Sequence, residues 1–328
     1  MSNHSDIHPP TITDVESLNK RLGQWLIRTP VVRCHSLEAH LPTQAEIYGK
    51  LEFLQQTGTF KPRGALANIL AMDDAQREAG VTAVSAGNHA IATAFAANAV
   101  GANAKVVMLR SASQVRIDAC EALGANIVFA DNSHEGFKLV EEICEKEGRV
   151  LIHPFEGVNT VTGTGTVGLE ICEQVEHIDA LIVAIGGGGL CAGISSVVKQ
   201  INPDCQIIGV EPEGAASMYR SLEKGQASSL DEVVTIADSL GAPFALPYSF
   251  ELCRRYVDDV VLITDEAMRD AMGLLFRDLK IAVEPAGAAA AAALLGPLRS
   301  RFKSGKVMVI FCGSNIDGPT FMELAGLN

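Results

Sequence analysis

Ala180-Leu181-Ile182-Val183-Ala184-Ile185-Gly186-Gly187-Gly188-Gly189-Leu190 is the stretch that decides the fold of this chain. It opens with an apolar run that has no polar interruption, so both faces of the strand it forms must be covered. Four glycines then end the strand and expose consecutive backbone N–H groups, and 190–201 resumes with helical periodicity. A doubly covered strand, a turn and a helix make the start of a βαβ unit, and so a mostly parallel sheet with helices on both faces.

The alternation extends outward in both directions. Further strands are expected at 29–32, 46–53, 82–84, 104–109, 127–130, 150–153, 206–211, 259–263 and 306–312. Helices are expected at 12–26, 64–72, 88–100, 114–123, 134–146, 160–175, 265–279 and 285–299. The fold class is therefore α/β, and 328 residues give room for two domains or one large one.

Composition narrows the function. Hydrophobic residues make up 48% and charged ones 20%, as in a packed globular protein. The balance of 26 basic against 39 acidic residues argues against nucleic acid or an anionic membrane as partner. The small apolar run at 286–295 is too short to span a bilayer, and residues 1–10 carry no apolar core of a signal peptide. Eight scattered cysteines without a C-x-x-C pair fit a reducing cytoplasm and oppose a zinc or disulfide framework. His4 and His8 have ligand-like spacing, but they lie in a polar tail with no third ligand nearby.

Ligands of such folds bind at the carboxyl ends of strands, so the loops after strands carry the chemistry. In Gly58-Thr59-Phe60-Lys61-Pro62-Arg63-Gly64-Ala65, a lysine sits at a strand-to-helix turn among small neighbours, where its amine is aimed into a cleft. In Ser85-Ala86-Gly87-Asn88-His89-Ala90, Ser85 and Asn88 are each able to cap the following helix, or the helix start receives an anion such as a carboxylate. The four glycines form a phosphate cradle. Gly187, Gly189 and Ala192 also satisfy a dinucleotide fingerprint, with Glu211 closing the next strand about 20 residues on, so a nicotinamide dehydrogenase is a rival reading of that loop. Finally, Cys312-Gly313-Ser314-Asn315 offers either a tight turn or a neutral partner for a heteroaromatic nitrogen. An amine, an anion-binding helix start, a phosphate cradle and a neutral ring partner together describe a pyridoxal phosphate site.

From about Arg28 to Asp317 the chain resembles the fold-type II pyridoxal phosphate enzymes, and within them the serine/threonine dehydratase and serine racemase group. The resemblance implies a tryptophan synthase β-like fold of two doubly wound, open twisted sheets. It implies a large cofactor-binding domain from 1–70 and 153–328, and a small mobile domain from 71–152. It places Lys61 in the Schiff-base position as the catalytic residue, with Phe60, Asn88, Gly186, Gly187, Gly188, Gly189, Leu190 and Cys312 on the cofactor. Ser85, Ala86, Gly87, Asn88 and His89 would hold the substrate carboxylate. Ala86 replaces the serine by which racemases deliver a proton, which argues against racemisation. Ser217 replaces the second acid of a metal site whose other positions match Glu211 and Ala215, so no metal is expected. Arg110 stands where the family has proline and is read as a solvated charge.

The expected reaction is the α,β-elimination of water from L-threonine or L-serine, giving a 2-oxo acid and ammonia. Other β-hydroxy amino acids such as 3-hydroxyaspartate, serine racemisation and, more distantly, the dehydrogenase are the alternatives. Substrate selection is looked for in 238–244 and 284–287. A homodimer is a family expectation.

Overall fold

The computed structural model describes residues 7–85 and 87–327, and the backbone alone of Ser133 and His134. Among the described residues ten strands form two sheets: β1 (Val31–Arg33), β2 (Glu46–Lys50), β3 (Val81–Val84), β4 (Ala104–Leu109), β5 (Asn126–Ala130), β6 (Val150–Leu151), β7 (Ala180–Ala184), β8 (Gln206–Pro212), β9 (Asp259–Ile263) and β10 (Lys306–Ile310). One sheet runs β1-β2-β10-β7-β8-β9 and the other β5-β4-β3-β6. Every pairing is parallel except β1 with β2. The apolar strand that decided the fold, β7, lies inside the larger sheet with every residue buried. Its register sets Leu181 between Met308 and Ile207.

The alanine-rich helix Pro285–Leu295 packs on that sheet, and Pro285 through Leu294 are all buried. Small side chains let its backbone come close: a Cβ on Gly287 would lie 2.3 Å from the carbonyl oxygen of Gly313. Among the described residues no helix is long and apolar enough to cross a membrane.

The lysine segment is built differently from the expectation. Strand β2 stops at Lys50, and short 3-10 turns at Glu52–Leu54 and Gln56–Gly58 follow. Thr57 and Gly58 are both left-handed, at φ 67° and 72°, which no strand accommodates. Lys61 therefore ends a loop, and the next helix, Pro62–Leu70, begins at once with Pro62 in its first turn. That loop is stitched to the chain after β10. Phe53 N donates to Phe311 O at 3.0 Å, Phe60 N to Cys312 O at 3.3 Å and Ser314 N to Gly58 O at 3.0 Å, around a bridge between Thr59 and Gly313.

A buried ion cluster anchors the helix. The Arg63 guanidinium donates to both oxygens of Glu52 at 2.8 and 2.9 Å. It also donates to both oxygens of Glu170 at 2.8 and 3.0 Å, and to Thr166 Oγ1 at 2.9 Å. Lys50 Nζ joins Glu170 at 2.6 Å, and Thr29 Oγ1 donates to Glu52. Two cations and two carboxylates thus neutralise each other out of water, the condition under which buried charge is tolerated. Beside it the helix Val158–Gln174 presses so close that a Cβ on Gly163 would lie 2.4 Å from Arg63 O.

Candidate active site

Lys61 Nζ donates to Pro154 O at 2.8 Å and lies 5.1 Å from the Phe60 ring centroid. No carboxylate among the described residues forms an ion pair with it. Burial lowers its pKa from 10.5 to about 8, with Cys312 and Glu284 opposing the fall. Two imidazoles nearby are held neutral, chiefly by burial and then by the lysine: His89 falls to about 3 and His153 to about 4. His89 Nε2 sits 2.7 Å from Ile152 O, which puts its proton on that nitrogen.

The glycine bend faces the lysine. Phe60, Lys61, Asn88 and Cys312 line one cavity of about 40 Å³ together with Gly186, Gly187, Gly188, Gly189 and Leu190. Close packing explains the glycines: a Cβ on Gly187 would lie 2.1 Å from the Phe155 ring, and one on Gly189 2.5 Å from Phe155 O. Gly188 is left-handed at φ 94°. Among the described residues the N–H groups of Gly186, Gly187 and Gly188 meet no acceptor. They stand at the start of the helix Gly189–Ile201, whose dipole adds to the attraction for an anion. This donor set fits a phosphate group.

Cys312 Sγ lies 3.3 Å from Ala286 O, to which the thiol donates. Burial, more than any other influence, pushes its pKa far up, so the thiol stays neutral. A neutral sulfur across the cavity from an amine suits a pyridine nitrogen that is not to be held protonated.

The helix after β3, Asn88–Ala99, begins differently from the expectation. Gly87 is the N-cap residue, and neither Ser85 nor Asn88 caps the helix with its side chain. Ser85 Oγ instead accepts from Gly87 N at 3.1 Å. Asn88 turns away to Glu284 Oε1 at 2.7 Å and Ser239 Oγ at 3.0 Å, and its Oδ1 accepts from Asn315 Nδ2 at 2.8 Å. Among the described residues the N–H groups of Asn88 and His89 meet no acceptor, and they stand at a helix start, where an anion is favoured. Ala86, the position read as arguing against racemisation, lies outside the described residues. A second cavity, of about 190 Å³, adjoins this loop and is lined by Lys61, Ser85, Gly87, His89, Arg116 and Asp238 among others.

Glu284 is buried, and its pKa is raised to about 7 by that burial, with Arg116 partly restoring the charged form. Its Oε2 has no hydrogen bond and stands 3.7 Å from Arg116 Nη2.

Other predicted positions fall elsewhere. Arg110 pairs with Asp131 on the surface, both side chains well exposed. Glu211, at the end of β8, accepts from Met218 N at 2.9 Å and Tyr219 N at 2.7 Å. Ala215 and Ser217 follow in a buried turn and helix start. Among the described residues no group of histidine, cysteine, aspartate or glutamate is arranged to hold a metal ion.

Residues the sequence did not flag also shape the cavities. Arg116 arrives from the helix Gln114–Ala122. Phe155 backs the glycine bend and lies 6.1 Å, ring to ring, from Phe244, which is 6.3 Å from Phe137. No motif marks Arg116, Phe155 or Phe137, whereas Phe244 closes the 238–244 stretch in which substrate selection was looked for.

The description "Pyridoxal-phosphate dependent enzyme" belongs to the family model that matches residues 23–313. The chain is 49% identical to the phenylserine dehydratase of Ralstonia pickettii, with 97% of each chain covered. It is 37% identical to the L-threonine ammonia-lyase of Thermotoga maritima, over 94% of this chain and 76% of that one. Among solved structures, maize serine racemase superposes with a TM-score of 0.91 at 36% identity, covering 96% of this chain and 97% of the other.

Proposed function

The chain belongs to the pyridoxal-phosphate dependent enzymes and is a lyase of that family, and from that premise we propose that it removes water from β-hydroxy amino acids, with an aryl-bearing substrate preferred to L-threonine and L-serine. The net change converts the amino acid into a 2-oxo acid and ammonia, water leaving in one step and re-entering in the next.

Lys61 Nζ, Phe60, Asn88, the N–H groups of Gly186 to Leu190 and Cys312 are the residues that would hold pyridoxal phosphate. When bound, that group supplies an electron sink for the charge left on the substrate α-carbon. Lys61 takes the α-proton on Nζ, a role for which burial favours the unprotonated amine. The open N–H groups of Asn88 and His89 receive the substrate carboxylate. Cys312 keeps its own proton, so beside the cofactor's ring nitrogen it would be a neutral partner rather than a proton donor, which would favour loss of the β-hydroxyl as water over reprotonation. Metal plays no part in this reading. The division into 1–70 with 153–328 and 71–152, and a homodimeric assembly, are carried as part of the same proposal.

The aryl preference rests on Phe155, which lines the cavity that holds Ser85 and Lys61, and on the partly exposed rings that extend from it, Phe244 at 6.1 Å from Phe155 and Phe137 at 6.3 Å from Phe244. Exposed aromatic surface of this kind gains about 0.5–1.5 kcal/mol for each ring it pairs with. The name of the relative at 49% identity points the same way.

Release of 2-oxo acid from 3-phenylserine, threonine, serine and 3-hydroxyaspartate tests the reading. The kcat/KM for the aryl substrate should exceed that for threonine by about tenfold, as one well-made ring contact allows. Phe244→Ala should erase the advantage while leaving threonine turnover nearly unchanged. Threonine faster than phenylserine would reject the aryl preference, and no 2-oxo acid from any of them would reject the dehydratase.

A further inference from the structure

Arg116 is absent from that account, yet its guanidinium lies against the loop that opens the Asn88–Ala99 helix. A Cβ on Gly87 would lie 2.8 Å from Nη1 and 2.9 Å from Cζ. The side chain is only 9% exposed, and its Nε is buried without a hydrogen-bond partner. Its principal counter-ion is Asp238, which meets it through both carboxylate oxygens, Nη1 to Oδ2 and Nη2 to Oδ1. The two partners differ in one respect that matters. Arg116 is largely enclosed, so leaving its charge without an anion is costly, whereas the Asp238 side chain is 55% exposed and returns to solvent at little cost.

Arg116 and Asp238 line the same cavity as Ser85, His89 and Lys61. A carboxylate entering on the open N–H groups of Asn88 and His89 therefore arrives beside a buried guanidinium already holding a carboxylate. We propose that Arg116 anchors the substrate carboxylate and that Asp238 is its built-in placeholder, displaced when substrate binds. This rests on the amino-acid substrate argued above. It predicts a residue pair of opposite sign, one whose loss weakens carboxylate binding and one whose loss strengthens it. No bond is made or broken; one charge-assisted pair replaces another.

Calorimetric titration of the holoenzyme with 3-phenylpropionate, which has a carboxylate but no amine, and with its neutral amide reads the pair without turnover. The acid should bind about tenfold more tightly than the amide, the scale of one charge-assisted pair. Arg116→Gln should bring the acid down to the level of the amide. Asp238→Asn should tighten the acid severalfold and leave the amide unchanged. Unaltered acid binding in Arg116→Gln would overturn the anchor. Weaker or unchanged acid binding in Asp238→Asn would overturn the placeholder, since Asp238 would then be supporting Arg116 rather than competing for it. Should Arg116→Gln fail to fold, Asp238→Asn decides the matter by its sign. A failed dehydratase reading shows separately, as absence of 2-oxo acid from an enzyme whose carboxylate binding still responds to Asp238.

Discussion

Arg63 and Lys61 are near neighbours in the chain, and the fold surrounds them in opposite ways. The Arg63 guanidinium is bonded to Glu52, Glu170 and Thr166, and although burial works against its charge, those carboxylates lift its pKa above the usual guanidinium value. Lys61, equally deep at its amine, has one neutral carbonyl for a partner, and burial draws its pKa toward neutrality. One segment thus contains a cation held charged in an ion cluster and an amine whose hold on its proton is loosened by burial. The difference lies in the partners supplied, not in depth.

The contrast breaks most visibly at Lys61. Lys61→Ala should lower turnover by roughly a thousandfold or more, as loss of a base and covalent anchor does. It should also abolish the near-ultraviolet/visible band of the bound cofactor, while the melting temperature of the cofactor-free protein holds or rises. An unchanged band would put the covalent link on another amine.

Arg63→Met should act in the other direction. Removing one member of a buried, paired cluster costs about 3–5 kcal/mol, because the carboxylates left behind are uncompensated. Denaturant midpoints would read the loss, and a change under about 1 kcal/mol would mean that Glu52 and Glu170 do not depend on Arg63.

A smaller effect separates the two by pH. In the folded protein Lys61 loses its proton at about 8, and in the unfolded chain at its ordinary 10.5. Between these values the unfolded chain binds more protons, so this group makes stability rise with pH across that window and adds no slope below it. The pH dependence of the cofactor-free protein minus that of Lys61→Met isolates the contribution; a difference that is flat from 8 to 10.5 would remove the case for a depressed amine. Smallest of all should be the response to chelator. Treatment with EDTA is expected to leave melting temperature and turnover unaltered, and a clear loss would return Glu211 and Ser217 to consideration as ligands.

Much of this was legible in the sequence where local rules and tertiary demand coincide. The ten strands of the described residues were foreseen from the alternation of short β-rich runs with longer helical ones, and the buried place of β7 from the continuous apolar run at 180–185. The glycine bend was legible because Phe155 leaves no room for a side chain there. Boundaries failed where a distant partner set them: 46–53 overran β2 since Phe53 N is claimed by Phe311 O. Short helices such as Asp74–Ala79, Ser217–Lys224 and Gly318–Leu324 were passed over, being brief and set by their caps and surroundings rather than by a long apolar period. Of the two readings of the helix after β3, a cap by Ser85 or Asn88 is not found: Gly87 takes the position and leaves Asn88 for Glu284. Arg116 and Phe155 were invisible because they reach the cavities through chain reversals that no spacing encodes.

The bridge between Thr59 and Gly313 has a consequence for how such a protein changes over generations. Because Phe60 N is tied to Cys312 O, the amine-bearing and thiol-bearing segments are adjacent rungs whose spacing is gauged by backbone alone. Side chains such as Phe137 and Phe244 stand outside that gauge. A lineage can therefore exchange those side chains without changing the distance between the two segments.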